Sequence, residues 1–98
     1  DMAAYARKMF GMYGGKEECV RIECENSFAG VMIDRFGKDV SMTRLDDGHF
    51  AINVEVAVSR QFLAWIMGLG EGVTLAGPNH VVAMMKDEIA RLVKQYKK

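Results

Sequence analysis

Between Cys19 and Gly77 the apolar period switches back and forth between two residues and three to four, and no other feature constrains the fold as tightly. In ECVRIEC, Val20, Ile22 and Cys24 share one face while Cys19, Arg21 and Glu23 share the other, the pattern of a half-buried strand. SFAGVMIDRFG then carries Phe28, Val31, Met32 and Phe36 at helical spacing. Asn26 or Ser27 is placed to cap that helix and Gly37 to stop it. A second strand, roughly Val40 to Arg44, leads through Leu45, Asp46, Asp47 and Gly48 into a third, and the Asp47-Gly48 step is a strong hairpin signal. In the third strand Phe50, Ile52, Val54 and Val56 face one way, and Ala51, Asn53, Glu55 and Ala57 the other. Ser59 predicts an N-cap, with Val58 and Leu63 at the two staple positions of a helix whose stripe is Phe62, Trp65, Ile66 and Leu69. Gly68, Gly70 and Gly72 end it, and Val73 and Leu75 mark a short fourth strand. Gly77-Pro78-Asn79 turns the chain into a last helix with Val81, Val82, Met85, Ile89, Leu92, Val93 and Tyr96 on one face.

That order, βαββαβ followed by a terminal helix, predicts an α+β fold of ferredoxin-like type, an antiparallel sheet with its helices on one face. Ahead of it, DMAAYARKMF repeats Met2, Tyr5, Ala6, Met9 and Phe10 at helical spacing, with Asp1 available as a cap, until Gly14 and Gly15 interrupt. The expectation is therefore a linker and short helix over residues 1–15, coming from a preceding domain, and one domain over residues 16–98. Met2, Tyr5, Met9 and Met12 are the side chains expected at a contact with a partner, thioethers being adaptable there.

Ninety-eight residues suit a single modest core. Thirteen basic residues balance thirteen acidic ones, so there is no long-range pull toward a phosphate backbone, and non-specific duplex binding by this piece alone is not expected. Cys19 and Cys24 are five positions apart, which points them to opposite faces of one strand and rules against a mutual disulfide. Free thiols and the lack of any bilayer-length apolar run make the cytoplasm the expected compartment, with no membrane partner.

Chemistry-bearing residues are scattered. His49 beside the hairpin and His80 at a helix start have no cysteine or carboxylate pair at metal-ligand spacing, so no metal and no cofactor are expected. Ser27 and Ser59 stand where caps belong, the acidic pairs Glu17-Glu18 and Asp46-Asp47 read as solvated surface, and no catalytic residue is nominated. GLGEG closes a helix instead of opening one, the reverse of a phosphate loop. Trp65 reads as core. Arg21, Arg35, Lys38 and Arg60 sit near strand or helix edges, and if they converge their charge suits a phosphate or carboxylate.

The segments FGMYGGKEECVRIEC, AGVMIDRFGKDV and FAINVEVAVSRQFLAWIMGLGEGVTLAGP, with the closing helix, resemble the C-terminal extension (WCX) domain of WYL-domain, helix-turn-helix transcriptional regulators. The resemblance covers nearly the whole chain, although most of the matching residues are core or turn residues. It implies a non-catalytic regulatory, dimerising and effector-responsive module, partnered by a WYL domain of the same chain and by a second copy. It also implies a nucleic-acid effector in the full-length protein, and duplex DNA held by a helix-turn-helix that these residues do not contain. The match to a DRFG-like segment makes Arg35 the first effector-side candidate, followed by Lys38, Arg21 and Arg60. The fold alone also admits a free-standing small-molecule sensor of ferredoxin-like type, since fold does not settle function.

Overall fold

A computed structural model describes residues 16–97. Strand β1 (Lys16–Glu25) buries Val20, Ile22 and Cys24 and turns the intervening residues outward, as its alternation demands. The chain then makes a 3-10 turn (Asn26–Phe28) and enters helix α1 (Ala29–Phe36). Neither Asn26 nor Ser27 caps this helix; its N-cap position is Phe28, which provides no side-chain cap. Asn26 instead donates its side-chain amide to the Asp47 carbonyl oxygen at 2.9 Å, tying the end of β1 to the hairpin. Gly37 ends α1 with φ 98°, a left-handed-side angle only glycine takes without strain, while its N–H donates to the Ile33 carbonyl.

Strand β2 (Met42–Asp46) starts two residues later than its sequence pattern indicates. It forms a hairpin with β3 (His49–Val58) across Asp47 and Gly48, and the Asp46 carboxylate accepts the Gly48 N–H at 2.7 Å. Helix α2 (Arg60–Gly68) begins at Ser59, whose hydroxyl accepts the Phe62 N–H at 3.2 Å. Strand β4 (Val73–Gly77) and helix α3 (Asn79–Tyr96) complete the chain.

The sheet is antiparallel throughout, in the order β2-β3-β1-β4. Ten cross-strand pairs, from Lys16↔Val58 to Glu25↔His49, join the two central strands. Each helical crossover therefore passes over a strand: α1 links β1 to β2 across β3, and α2 links β3 to β4 across β1.

One sheet face carries the core. Val20, Ile22, Phe50, Ile52, Val56, Val73 and Leu75 meet Met32 and Phe36 from α1, Phe62, Leu63 and Ile66 from α2, and Val81 from α3. Fully burying side chains of this size is worth about 1.5–3 kcal/mol each. The opposite face is polar, with Cys19, Arg21, Glu23, Asn53 and Glu55 outward and the small Ala51 sunk between its cross-strand neighbours Glu23 and Thr43. The result is a mixed α/β module with all three helices on one side of a four-stranded sheet. No helix among the described residues is long and apolar enough to cross a membrane.

Candidate functional site

Arg35 sits in the last turn of α1, where positive charge complements the helix dipole. Its guanidinium carbon lies 5.0 Å from the centroid of the Trp65 ring on α2. Trp65 is itself fixed by an edge-on contact with Phe36 (centroids 5.7 Å) and a tilted one with Phe62 (6.4 Å). A guanidinium this close to an indole ring makes a cation–π contact, which fixes the position of the Arg35 charge at the end of α1. Lys38 follows in the exposed turn closed by the Val40 N–H on the Gly37 carbonyl at 3.1 Å.

Arg60 opens α2, but its fork is engaged by α3: Nε donates to Glu88 Oε1 at 2.7 Å and Nη2 to Oε2 at 3.3 Å. Arg91 reaches the same carboxylate at 3.2 Å and Gln95 at 2.9 Å. Donation from Arg91 and Arg60 holds the Glu88 carboxyl below its ordinary range. Arg21 projects from the polar sheet face, paired with Glu23 at 3.1 Å. The four basic residues thus occupy three separate settings. Arg35 and Lys38 share the end of α1, Arg60 is tied to α3, and Arg21 lies across the sheet from all three. Met2, Tyr5, Met9 and Met12 lie outside the described residues.

The hairpin end holds a second polar cluster, absent from the sequence-based candidates. His49 Nδ1 and Asp46 Oδ1 are 2.8 Å apart, and Arg44 pairs with Asp47. The hydrogen bond to Asp46 raises the His49 pKa, and the reciprocal bond, with the Gly48 N–H, lowers that of Asp46. The alternation of β2 and the Asp-Asp-Gly turn were the available signals, since they set Arg44 and His49 on either side of two acids. His80, read as a surface residue, contacts Glu18 across the fold. The cysteines are free: Cys19 is exposed, while burial, reinforced by the Glu23 charge, pushes the Cys24 thiol up to about 11. Among the described residues no group of His, Cys, Asp and Glu is arranged to hold a metal ion.

The packing and turn residues that build this frame match the WCX domain family over residues 17–93, more than half of the chain. The chain belongs to the WCX domain family. A WCX domain points to a regulatory module of WYL-containing proteins. A search of curated proteins returned no match. Within this WCX domain, the matched span runs from the second residue of β1 into the last turns of α3, so all four strands and the Arg35–Trp65 contact fall inside it.

Proposed function

We propose that this WCX domain is the dimerising, effector-responsive part of a bacterial transcriptional regulator. A helix-turn-helix and a WYL domain elsewhere in the same polypeptide supply DNA recognition and the main effector surface. The family match over residues 17–93 carries this reading. The fold type within it is ferredoxin-like, supported by the crossing of each helical connection over a strand in the order β2-β3-β1-β4. The module works without catalysis, by contact, in the cytoplasm.

Arg35, in cation–π contact with Trp65 and followed by Lys38, is the effector-side contact in this reading. Phosphate binding needs only a few well-placed forks, so a neutral module suffices. Arg60, held by Glu88, and Arg21, on the far sheet face, rank behind them. Recovery of the coding sequence upstream decides the first part: a parent without helix-turn-helix and WYL segments ends the reading. For the second, full-length protein is titrated with short single-stranded oligonucleotides at several salt concentrations, as wild type and as Arg35→Ala. The expected result is weaker binding and a shallower salt dependence. Unchanged affinity and slope would remove Arg35 from the site.

A further inference from the structure

The helix layer is shorter than the sheet it covers. At the hairpin end the Asn26 N–H donates to the Gly48 carbonyl at 2.9 Å, and α1 starts back along the sheet from there. Its eight residues rise about 12 Å, whereas the ten residues of β3 span about 30 Å. β2 falls short in the same way, its first residue Met42 pairing with Ile52. Val54, Val56 and Val58 therefore lie past the last β2 pair and beyond the span of α1, with their side chains in the core. α3 packs against β4, on the far side of β1 from these valines. Among the described helices that leaves α2, whose first turns carry Phe62 and the half-buried Trp65.

Yet the three valines are only 9%, 0% and 3% exposed. A fully buried side chain touches about 6–12 other residues, and one helix at the end of a sheet supplies neighbours on one flank alone. The chain itself brings a second element to this corner. Lys16 pairs with Val58, so residues 1–15 enter the described fold beside the valines.

We propose that residues 2–10 form a helix that lies in line with α1 and beside the first turns of α2, closing this end of the core. The stripe of Met2, Tyr5, Met9 and Phe10 rests on Val54, Val58 and Trp65. As a helix these nine residues are about 12 Å long, which suits the half of β3 that α1 leaves. Residues 11–15, three of them glycine, are the link, with a reach of up to about 18 Å. The direction of entry sets the start of the segment near the end of α1, so that Asp1, its one acid, faces Arg35 and Lys38. Arg7 and Lys8 fall on the opposite side of the helix, toward solvent. The occupant is the chain's own segment, because so short a link holds it at about millimolar effective concentration. None of this depends on the regulatory role proposed above, which stands whether or not the segment docks.

Trp65 is the single tryptophan of the chain, so its fluorescence reads the contact. In the 98-residue protein, Tyr5→Asp with Met9→Asp puts two carboxylates on the stripe, and Arg7→Asp alters the other side. Acrylamide quenching of Trp65 is expected to rise at least about twofold in the first variant and to match wild type in the second. A second readout keeps the native stripe: a nitroxide on Ala3→Cys, in a Cys19→Ser background, should quench Trp65, and one on Leu45→Cys at the hairpin end should not. Equal acrylamide quenching in wild type and the stripe variant, or equal Trp65 emission with either label, overturns the inference. Trp65 shielding that grows with protein concentration also overturns it, by assigning the place to the segment of a second copy.

Discussion

Gly72 is the position where one added methyl group should cost the most. It is buried in the loop before β4, and a Cβ built on it would lie 2.5 Å from Phe28 Cε2 and 2.8 Å from Glu25 Oε1. Carbon atoms in contact sit about 3.5–4.0 Å apart, so the overlap with the ring is roughly an ångström. The Glu25 carboxylate is the end of an exposed, flexible side chain and can swing aside. The Phe28 ring packs against the core, and the loop cannot lift away without losing the bond from the Glu25 N–H to the Gly72 carbonyl at 2.9 Å. Overpacking of this kind costs about 1–3 kcal/mol. For a domain of this size that lowers the thermal midpoint by roughly 4–8 °C per kcal/mol. Urea denaturation of wild type, Gly72→Ala, Phe28→Ala and the double variant measures the effect as a cycle. The ring is the obstacle, so the double variant should be more stable than the sum of the two singles allows, by about 1 kcal/mol or more. Strict additivity, or a Gly72→Ala variant within about 0.5 kcal/mol of wild type, would refute the reasoning.

Ser59→Ala removes the hydroxyl that accepts the Phe62 N–H and is expected to cost about 1 kcal/mol in denaturant unfolding, with Ser59→Asp recovering most of it. The His49–Asp46 pair has a pH window with a definite sign. The raised His49 pKa gives stability that is fully present below pH 6.5 and is lost as pH rises through its folded value. The lowered Asp46 pKa gives stability present above pH 3.8 and lost as pH falls through its folded value. NMR titration should therefore place the His49 ring above its ordinary pKa, and Asp46→Asn should bring it down; no change on substitution counts against the pair. Cys19, exposed, should react with a thiol reagent under native conditions, and Cys24 only on unfolding, as its burial and its pKa of about 11 dictate. Equal rates would contradict that assignment.

Most of the frame was readable because burial repeats with a period. The alternation in β1 and β3 placed the core face residue by residue, and Ser59, Gly37 and the Asp47-Gly48 turn took the positions their local chemistry implies. The failures are tertiary. Asn26 is a good cap by residue type, yet its amide reaches the hairpin 21 residues away, an outcome no local rule contains. Gly72 belongs to a glycine run that reads as helix termination, but its own constraint is the ring of Phe28. The candidate site shows the same division. Arg35 was nominated through the resemblance of its segment, while its contact with Trp65 depends on how two helices pack, and so does the capture of Arg60 by Glu88. Alternation set Arg21 on the polar strand face, but no local pattern said where Arg35, Lys38 and Arg60 would lie relative to it or to one another.

The placement of β1 in the interior of the sheet has a kinetic consequence. It is the first strand in the described chain, yet its partners are residues 49–58 and 73–77. Val20, Ile22 and Cys24 have no ladder to join until the chain beyond them is available, whereas β2 and β3 are joined by a two-residue turn and close locally. Loop closure of that length is the slow step in chains dominated by distant pairings. Conservative truncations in the β2–β3 hairpin should therefore alter folding and unfolding rates differently from Ile22→Val. A stopped-flow chevron series reads this directly, with the β1 ladder forming at the rate-limiting barrier and the hairpin already in place before it.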